Sequence, residues 1–90
     1  MSQVIVDPRE LKVFARTLEA VADGALSRKN RAASRLASLH ETWRDQKYAS
    51  YEKTFEQTAV EIDKFVKMAF AYAQYLDHKA ALAEKYLGRR

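Results

Sequence analysis

The chain has 90 residues and a formal net charge of +4, from 16 Lys and Arg against 12 Asp and Glu. This length fits a single domain over residues 1–90, and the lack of cysteine excludes disulfides. No continuous apolar run approaches the roughly 18 residues that a membrane span needs, so we expect no transmembrane helix.

The first predicted element is a helix over about residues 8–40. It begins at Asp7-Pro8-Arg9-Glu10, where Asp7 can cap free N–H groups, Pro8 suits the first helical position and Glu10 follows three residues after the cap. Apolar residues then recur every three or four positions as far as Leu39, which indicates one apolar helix face.

Asp23-Gly24 interrupts this segment and leaves two interpretations. A glycine inside a helix is less favourable than alanine by about 1 kcal/mol, so the pair could be a turn that divides the chain into a three-helix bundle. We prefer a continuous or slightly bent helix, because the apolar spacing keeps its phase from Leu18 to Ala25.

Residues 41–45 form the predicted turn, which contains the only tryptophan, Trp43, followed by Arg44 and Asp45. Asp45 can cap a second helix over about residues 46–87, which meets no breaker before Gly88. The apolar stripe of this helix advances in steps of three and four, close to a heptad pattern. It comprises Tyr48, Tyr51, Phe55, Ala59, Ile62, Val66, Ala69, Ala73, Leu76, Ala80, Ala83 and Leu87.

Two helices cannot enclose a core, because each buries only one stripe against the other. A second apolar set beside the main stripe adds to this problem: Phe65, Met68, Phe70, Tyr72 and Tyr75. We therefore predict an all-α antiparallel helical hairpin that dimerises into a four-helix bundle. The residues predicted to form its core and interface are Phe14, Leu18, Leu36, Leu39, Phe55, Ile62, Val66, Ala69 and Leu76.

A basic cluster lies on the first helix and consists of Arg28, Lys29, Arg31 and Arg35. It could bind nucleic acid, acidic lipid or an acidic partner, or it could pair with acidic residues of the second helix. A hairpin that turns at Trp43 would place residue 35 opposite about 51 and residue 28 opposite about 58. Nucleic-acid binding is disfavoured, because no aromatic residues alternate with the cluster and no helix-turn-helix spacing occurs.

Catalytic and metal-binding signals are lacking in the sequence. The two histidines, His40 and His78, lie far apart along the predicted rod and have no converging ligands. No nucleophile elbow or glycine-rich phosphate loop occurs, and the neighbouring acids Glu61 and Asp63 point to different helix faces. We therefore predict a protein that is not an enzyme and needs no metal or cofactor.

The chain resembles the WxG, or ESAT-like, family of small bacterial helical hairpins that type VII secretion systems export. The resemblance covers nearly the whole length and lies in the size, the Asp7-Pro8 start, Trp43 near residue 40 and Tyr48 and Tyr51 after the turn. Asp45 replaces the glycine of the family's Trp-x-Gly turn.

The family's C-terminal Tyr-x-x-x-Asp/Glu export element has no counterpart at the three last tyrosines. Tyr72, Tyr75 and Tyr86 are followed four positions later by Leu, Lys and Arg.

The resemblance implies a secretion-associated interaction module that acts as a homodimer or pairs with a second WxG-type hairpin. Trp43 would then lie near a groove that the secretion machinery recognises. The chain would be cytoplasmic before export and would leave without a cleaved signal peptide, since its first residues lack basic and apolar signal regions. Two alternatives stay open: a cytoplasmic structural or adaptor bundle without export, and a basic helical protein that binds nucleic acid.

Overall fold

The protein is a hairpin of two long helices in a computed structural model that describes residues 6–87. Helix α1 runs over Pro8–Leu39 and helix α2 over Gln46–Tyr86, and no strand occurs in this part of the chain. Together they form a flat rod of 64 × 27 × 13 Å. The predicted all-α hairpin is confirmed, and each helix ends one residue before the predicted position.

Helix α1 starts as its sequence indicates. The Asp7 side chain accepts a hydrogen bond from the backbone N–H of Arg9 at 2.9 Å, and the Pro8 ring at the first helical position is buried. The helix continues through Gly24 without a break, so the three-helix alternative is wrong. A Cβ atom added at Gly24 would meet only the Arg28 guanidinium, at 3.6 Å, which is an ordinary contact.

The seam between the helices is lined by small residues. Pro8, Ala15 and Ala22 of α1 follow one another at intervals of seven and are buried. Ala15 packs with Ala73 and Leu76 of α2, and Ala22 packs with Val66 and Ala69, within a buried stripe of α2 that also includes Ala80. Because an alanine side chain is only a methyl group, these stripes allow the two backbones to approach closely.

Three salt bridges set the register of the two helices. Lys12 Nζ lies 2.9 Å from Glu84 Oε2, Arg16 Nη2 lies 2.5 Å from Asp77 Oδ2, and Lys29 Nζ lies 2.9 Å from Asp63 Oδ1. Ala22 packs with Val66 and Ala69, which lie two to five residues beyond the position that the expected register, with residue 28 opposite about 58, would place opposite it.

Replacing Gly24 by Ala is expected to raise the thermal unfolding midpoint, since alanine is favoured in a helix by about 1 kcal/mol and its methyl group fits without a clash. The measurement is circular dichroism at a fixed protein concentration. The matched control is the reverse change, Ala20→Gly, at an exposed position of the same helix, which should lower the midpoint. A lower midpoint for Gly24→Ala would contradict the continuous helix.

Candidate functional site

Hydrogen bonds that involve Trp43, Arg44 and Asp45 close the turn between the two helices. The backbone N–H of Trp43 donates to the Leu39 carbonyl at 2.9 Å, and Arg44 Nε donates to the His40 carbonyl at 3.0 Å. The Asp45 carboxylate accepts from the backbone N–H of Tyr48 at 3.1 Å and so caps α2. A guanidinium at the end of α1 and a carboxylate at the start of α2 both complement the helix dipoles.

Asp45 is compatible with this turn although the resembled family has glycine at that position. Its backbone dihedrals are φ −88° and ψ −175°, an extended conformation that any residue adopts. Its side chain also supplies the cap that a glycine cannot provide. The turn therefore closes as Trp43-Arg44-Asp45 without a left-handed residue at position 45.

Four aromatic rings pack at this end of the rod. The Tyr48 ring is buried and stacks on the His40 ring, with centroids 4.3 Å apart and planes 14° apart. The half-buried Trp43 ring meets Tyr48 edge-on at 5.5 Å and lies 5.7 Å from the Tyr51 ring. The Tyr48 hydroxyl donates to the Leu36 carbonyl at 3.3 Å and so joins the turn to α1.

Burial raises the pKa of the Tyr48 hydroxyl above its ordinary value, and the neighbouring carboxylates of Glu52 and Glu56 raise it further. The hydroxyl therefore stays protonated and remains a hydrogen-bond donor under physiological conditions.

The two broad sides of the rod differ in chemistry. One side, here called the charged side, carries the three interhelix salt bridges of Lys12, Arg16 and Lys29. On the opposite side, here called the open face, both helices present apolar side chains to solvent. Its members on α1 are Phe14, Val21 and Leu39, and on α2 they are Tyr51, Met68, Tyr72, Tyr75 and Leu82.

Large apolar surface is left uncovered on the open face. Each of its eight members exposes between 45% and 61% of its surface. Tyr72 and Tyr75 stack on each other, with ring centroids 5.8 Å apart and planes 13° apart. Contiguous exposed apolar surface of this kind usually marks an interaction site in a protein.

Two hollows along the seam shape the open face. The larger, near the turn, has a volume of about 860 Å³, and its walls include Ala32, Leu39, Tyr51 and Phe55, with Arg35 among the polar residues. The smaller, about 240 Å³, lies halfway along the rod between Leu18 of α1 and a group from α2. That group consists of Phe65, Met68, Ala69 and Tyr72. The surfaces of both hollows are mainly apolar.

The nine residues predicted for the core and interface divide into two groups. Seven are buried or half-buried between the two helices: Leu18, Leu36, Phe55, Ile62, Val66, Ala69 and Leu76. Phe14 and Leu39 instead lie at the open face with about half of their surface exposed, 49% and 50%. Their participation in a dimer stays a prediction.

The basic cluster is divided by the fold. Lys29 turns toward α2, has a side chain that is 15% exposed and pairs with Asp63. Arg28, Arg31 and Arg35 are exposed and form no salt bridge with any other residue of the range 6–87. Pairing within the hairpin therefore accounts for one of the four cations, and the three arginines point outward.

Sequence reasoning missed the burial of Ala15 against Ala73, because Ala15 was not placed on the apolar face of the first helix. The seven-residue spacing of Pro8, Ala15 and Ala22 is a signal that could have revealed this contact. Tyr48 lies on the predicted apolar stripe of the second helix and is buried.

No group of three or more potential metal ligands occurs within residues 6–87. Neither helix, over the residues described, is long and apolar enough to cross a membrane. The chain matches no known family model, no characterised protein and no solved structure.

Replacing Tyr48 by Phe keeps the ring stack but removes the hydrogen bond to Leu36, so we expect a loss of about 1 kcal/mol in the free energy of unfolding. The pH dependence should change as well. Folding raises the pKa of the Tyr48 hydroxyl. The stability that this hydroxyl contributes to the fold is therefore complete below the ordinary tyrosine pKa and is lost as the pH rises through the pKa of the folded state.

Denaturant unfolding at about pH 8 and about pH 11 would measure this effect, which the Tyr48→Phe variant should lack. Tyr86→Phe, at a ring that is 90% exposed, is the matched control and should keep the native pH dependence. If the native chain and the Tyr48→Phe variant lost the same free energy of unfolding between these pH values, the alkaline loss of stability would not come from Tyr48.

Proposed function

We propose that this chain is a non-enzymatic protein interaction module whose open face binds a second helical hairpin and completes a four-helix bundle. The observation that carries the proposal is the row of half-exposed apolar side chains along the open face, spaced as in a coiled-coil seam. The partner is a second copy of the chain or another hairpin of the same kind.

The small apolar area that the hairpin buries between its two helices supports this proposal. Within residues 6–87, the hydrophobic residues with no exposed surface are four alanines, Ala15, Ala22, Ala73 and Ala80, and the larger core residues keep a small exposed fraction. Burying apolar surface contributes about 25 cal/mol per Å², so a seam of methyl groups stabilises the hairpin only weakly. A partner on the open face would bury the aromatic and aliphatic side chains that the hairpin leaves exposed.

The size of the open face is also adequate. The rod outline of 64 × 27 Å is larger than the roughly 800 Å² per partner that stable protein interfaces bury. Two such faces in contact give four helices with interdigitating side chains around a common core.

The association with type VII secretion is supported by the resemblance to WxG proteins and by the hairpin form. In this proposal the partner-bound hairpin is the form that the secretion machinery recognises near Trp43. Fractionating a culture that expresses the chain and its secretion system would test the role. Recovery from cells alone would favour an adaptor bundle without export.

The test of the interaction module is the solution mass from light scattering over a dilution series, combined with circular dichroism. We expect either a dimer of about twice the chain mass of 10.4 kDa or a poorly folded monomer that gains helix when a partner hairpin is added. A well-folded helical monomer with no tendency to associate would overturn the proposal.

A matched pair of variants locates the interface. Tyr72→Glu places a charge on the open face and should weaken association by at least about tenfold, because an unpaired charge in an apolar interface is costly. Gln74→Glu adds the same charge at an exposed position outside that face and should leave association unchanged. Equal effects of both changes would argue against the open face as the site.

A further inference from the structure

The charges along the open face change sign from one end of the rod to the other. On α1, residues spaced seven apart form one strip, and residues three positions further on form its neighbour. The first strip consists of Asp7, Phe14, Val21, Arg28 and Arg35, and the second consists of Glu10, Thr17, Gly24, Arg31 and Ser38. Both acids therefore lie at the terminal end, and all three arginines lie in the half nearest the turn.

The hollows at the two ends of the open face are lined accordingly. Asp7 and Glu10 line a hollow with Phe14 at the terminal end, whereas Arg35 lines the larger hollow near the turn. Arg9 also borders the terminal hollow and lies 3.7 Å from Asp7, but its side chain is 88% exposed and belongs to neither strip. The two ends of the face therefore present carboxylates and guanidinium groups, respectively.

On α2, the strips that contain Tyr72 and Tyr75 are mostly uncharged. The spacing of seven places Lys47 and Glu61 on the Tyr75 strip in the half nearest the turn, and Lys79 on the Tyr72 strip in the terminal half. Over both helices, the strips therefore carry an excess of cations in the half nearest the turn and an excess of carboxylates in the terminal half.

This change of sign favours one of the two symmetric arrangements of a pair of chains. Face-to-face rods related by a two-fold axis have their turns either at the same end or at opposite ends. With the turns together, Arg28 lies level with the second copy's Glu61, but the arginines of both copies collect at one end, where like charges repel. With the turns apart, the cationic half of each copy meets the acidic half of the other.

In the arrangement with the turns apart, α1 lies antiparallel to α1 of the second copy. Reversing the first strip about Val21 places Arg35 opposite Asp7 of the other copy. The same reversal of the second strip places Arg31 within one residue of Glu10. Charges of opposite sign therefore meet on both strips of α1.

The apolar middle of the face fits the same arrangement. Ala22 packs with Val66 and Ala69, so Met68 lies level with Val21 and close to the two-fold axis. The smaller hollow, which Met68 helps to line, is therefore also close to this axis. The Met68 side chain of each copy can enter the hollow of the other.

We propose, on the basis of the proposed function, that the open face binds a second copy of the chain with its turn at the opposite end. Pairs of Arg35 with Asp7 and of Arg31 with Glu10 fix this orientation, and the symmetry makes each pair occur twice. The helix cap and the contact with Arg9 both use Oδ1 of Asp7, which leaves Oδ2 for the arginine of the other copy. Charge-assisted bonds of this kind are stronger than bonds between neutral groups.

The orientation is measured as a distance between two spin labels. The chain has no cysteine, so Ser50→Cys supplies a single attachment point at an exposed position near the start of α2. We expect pulsed electron paramagnetic resonance to give a separation of about 55 Å, from a rise of about 1.5 Å per residue on both sides of the axis. A separation of about 30 Å, the width of a four-helix bundle, would place the turns together and overturn the proposal.

A charge swap tests the contacts themselves. Arg31→Glu places an acid opposite Glu10, and Glu10→Arg places a cation opposite Arg31, so each variant should dimerise at least about tenfold more weakly than the native chain in light scattering. An equal mixture of the two should recover the dimer to within about threefold of the native affinity, because opposite charges then meet at both contacts. Lys67→Glu makes the same change of charge at an exposed position outside the strips and should leave the dimer unchanged.

The remaining outcomes separate this inference from the proposed function. Single variants that dimerise as well as the native chain, or a mixture that stays monomeric, would overturn the charge pairs. If a swapped chain does not fold, the label distance in the Ser50→Cys chain still decides the orientation. A native chain that gains helix only with a different hairpin would overturn the second copy and leave the interaction module intact. A folded monomer that binds no hairpin would overturn the proposed function as well.

Discussion

The close contact of two alanine-lined helix faces is the constraint on which the rest of the structure depends. Ala15 of α1 packs in one cluster with Ala73 and Leu76 of α2, and Ala22 packs in a second cluster with Val66 and Ala69. Small side chains bring the helix axes together but exclude little apolar surface from water. The hairpin is therefore narrow and well defined in register, yet its larger apolar residues are displaced to the edges of the seam.

That displacement gives the rod two chemically distinct sides. The interhelix ion pairs of Lys12, Arg16 and Lys29 occupy one side, and pairs at a solvent-exposed surface contribute little to stability. Their main effect is to specify the register, because a shift by one turn would separate all three. The apolar side chains collect on the other side, together with arginines that lack a partner in the described chain. A surface that combines both features is suited to a protein partner with the complementary pattern.

The turn connects this architecture to the resemblance that the sequence shows. Trp43 packs on Tyr48 and Tyr51, while Arg44 and Asp45 satisfy the backbone groups of the two helix ends. Aromatic packing and capping thus perform the task that a flexible glycine performs in other tight turns.

Local signals were sufficient to predict the helices from the sequence. Asp7-Pro8 and Asp45 are caps that act within one helical turn, and the three-and-four spacing of apolar residues is independent of what the helix touches. The register was not predictable in this way, because it depends on contacts between the two helices, such as the cluster of Ala22 with Val66 and Ala69. The alternative in which the basic cluster pairs with acids of the second helix holds for Lys29, which pairs with Asp63.

The candidate site was predictable only in part, for a similar reason. The excess of apolar residues around the middle of α2 indicated that a partner is needed, and Met68, Tyr72 and Tyr75 are indeed exposed. The pairing of the two helices determines that Met68, Tyr72 and Tyr75 lie on the same side of the rod as Arg28 and Arg35. The sequence of one helix alone does not predict this arrangement.

We infer that the alanine seam alone stabilises the hairpin only weakly and that a partner on the open face completes the fold. Hydrogen exchange of the isolated chain, measured by mass spectrometry at the lowest practicable concentration, is the decisive test. We expect weak protection of the backbone amides around Ala69 and Ala73 in the dilute chain, and strong protection once the open face is occupied. Strong, concentration-independent protection of these amides in a monomer would show that the hairpin needs no partner.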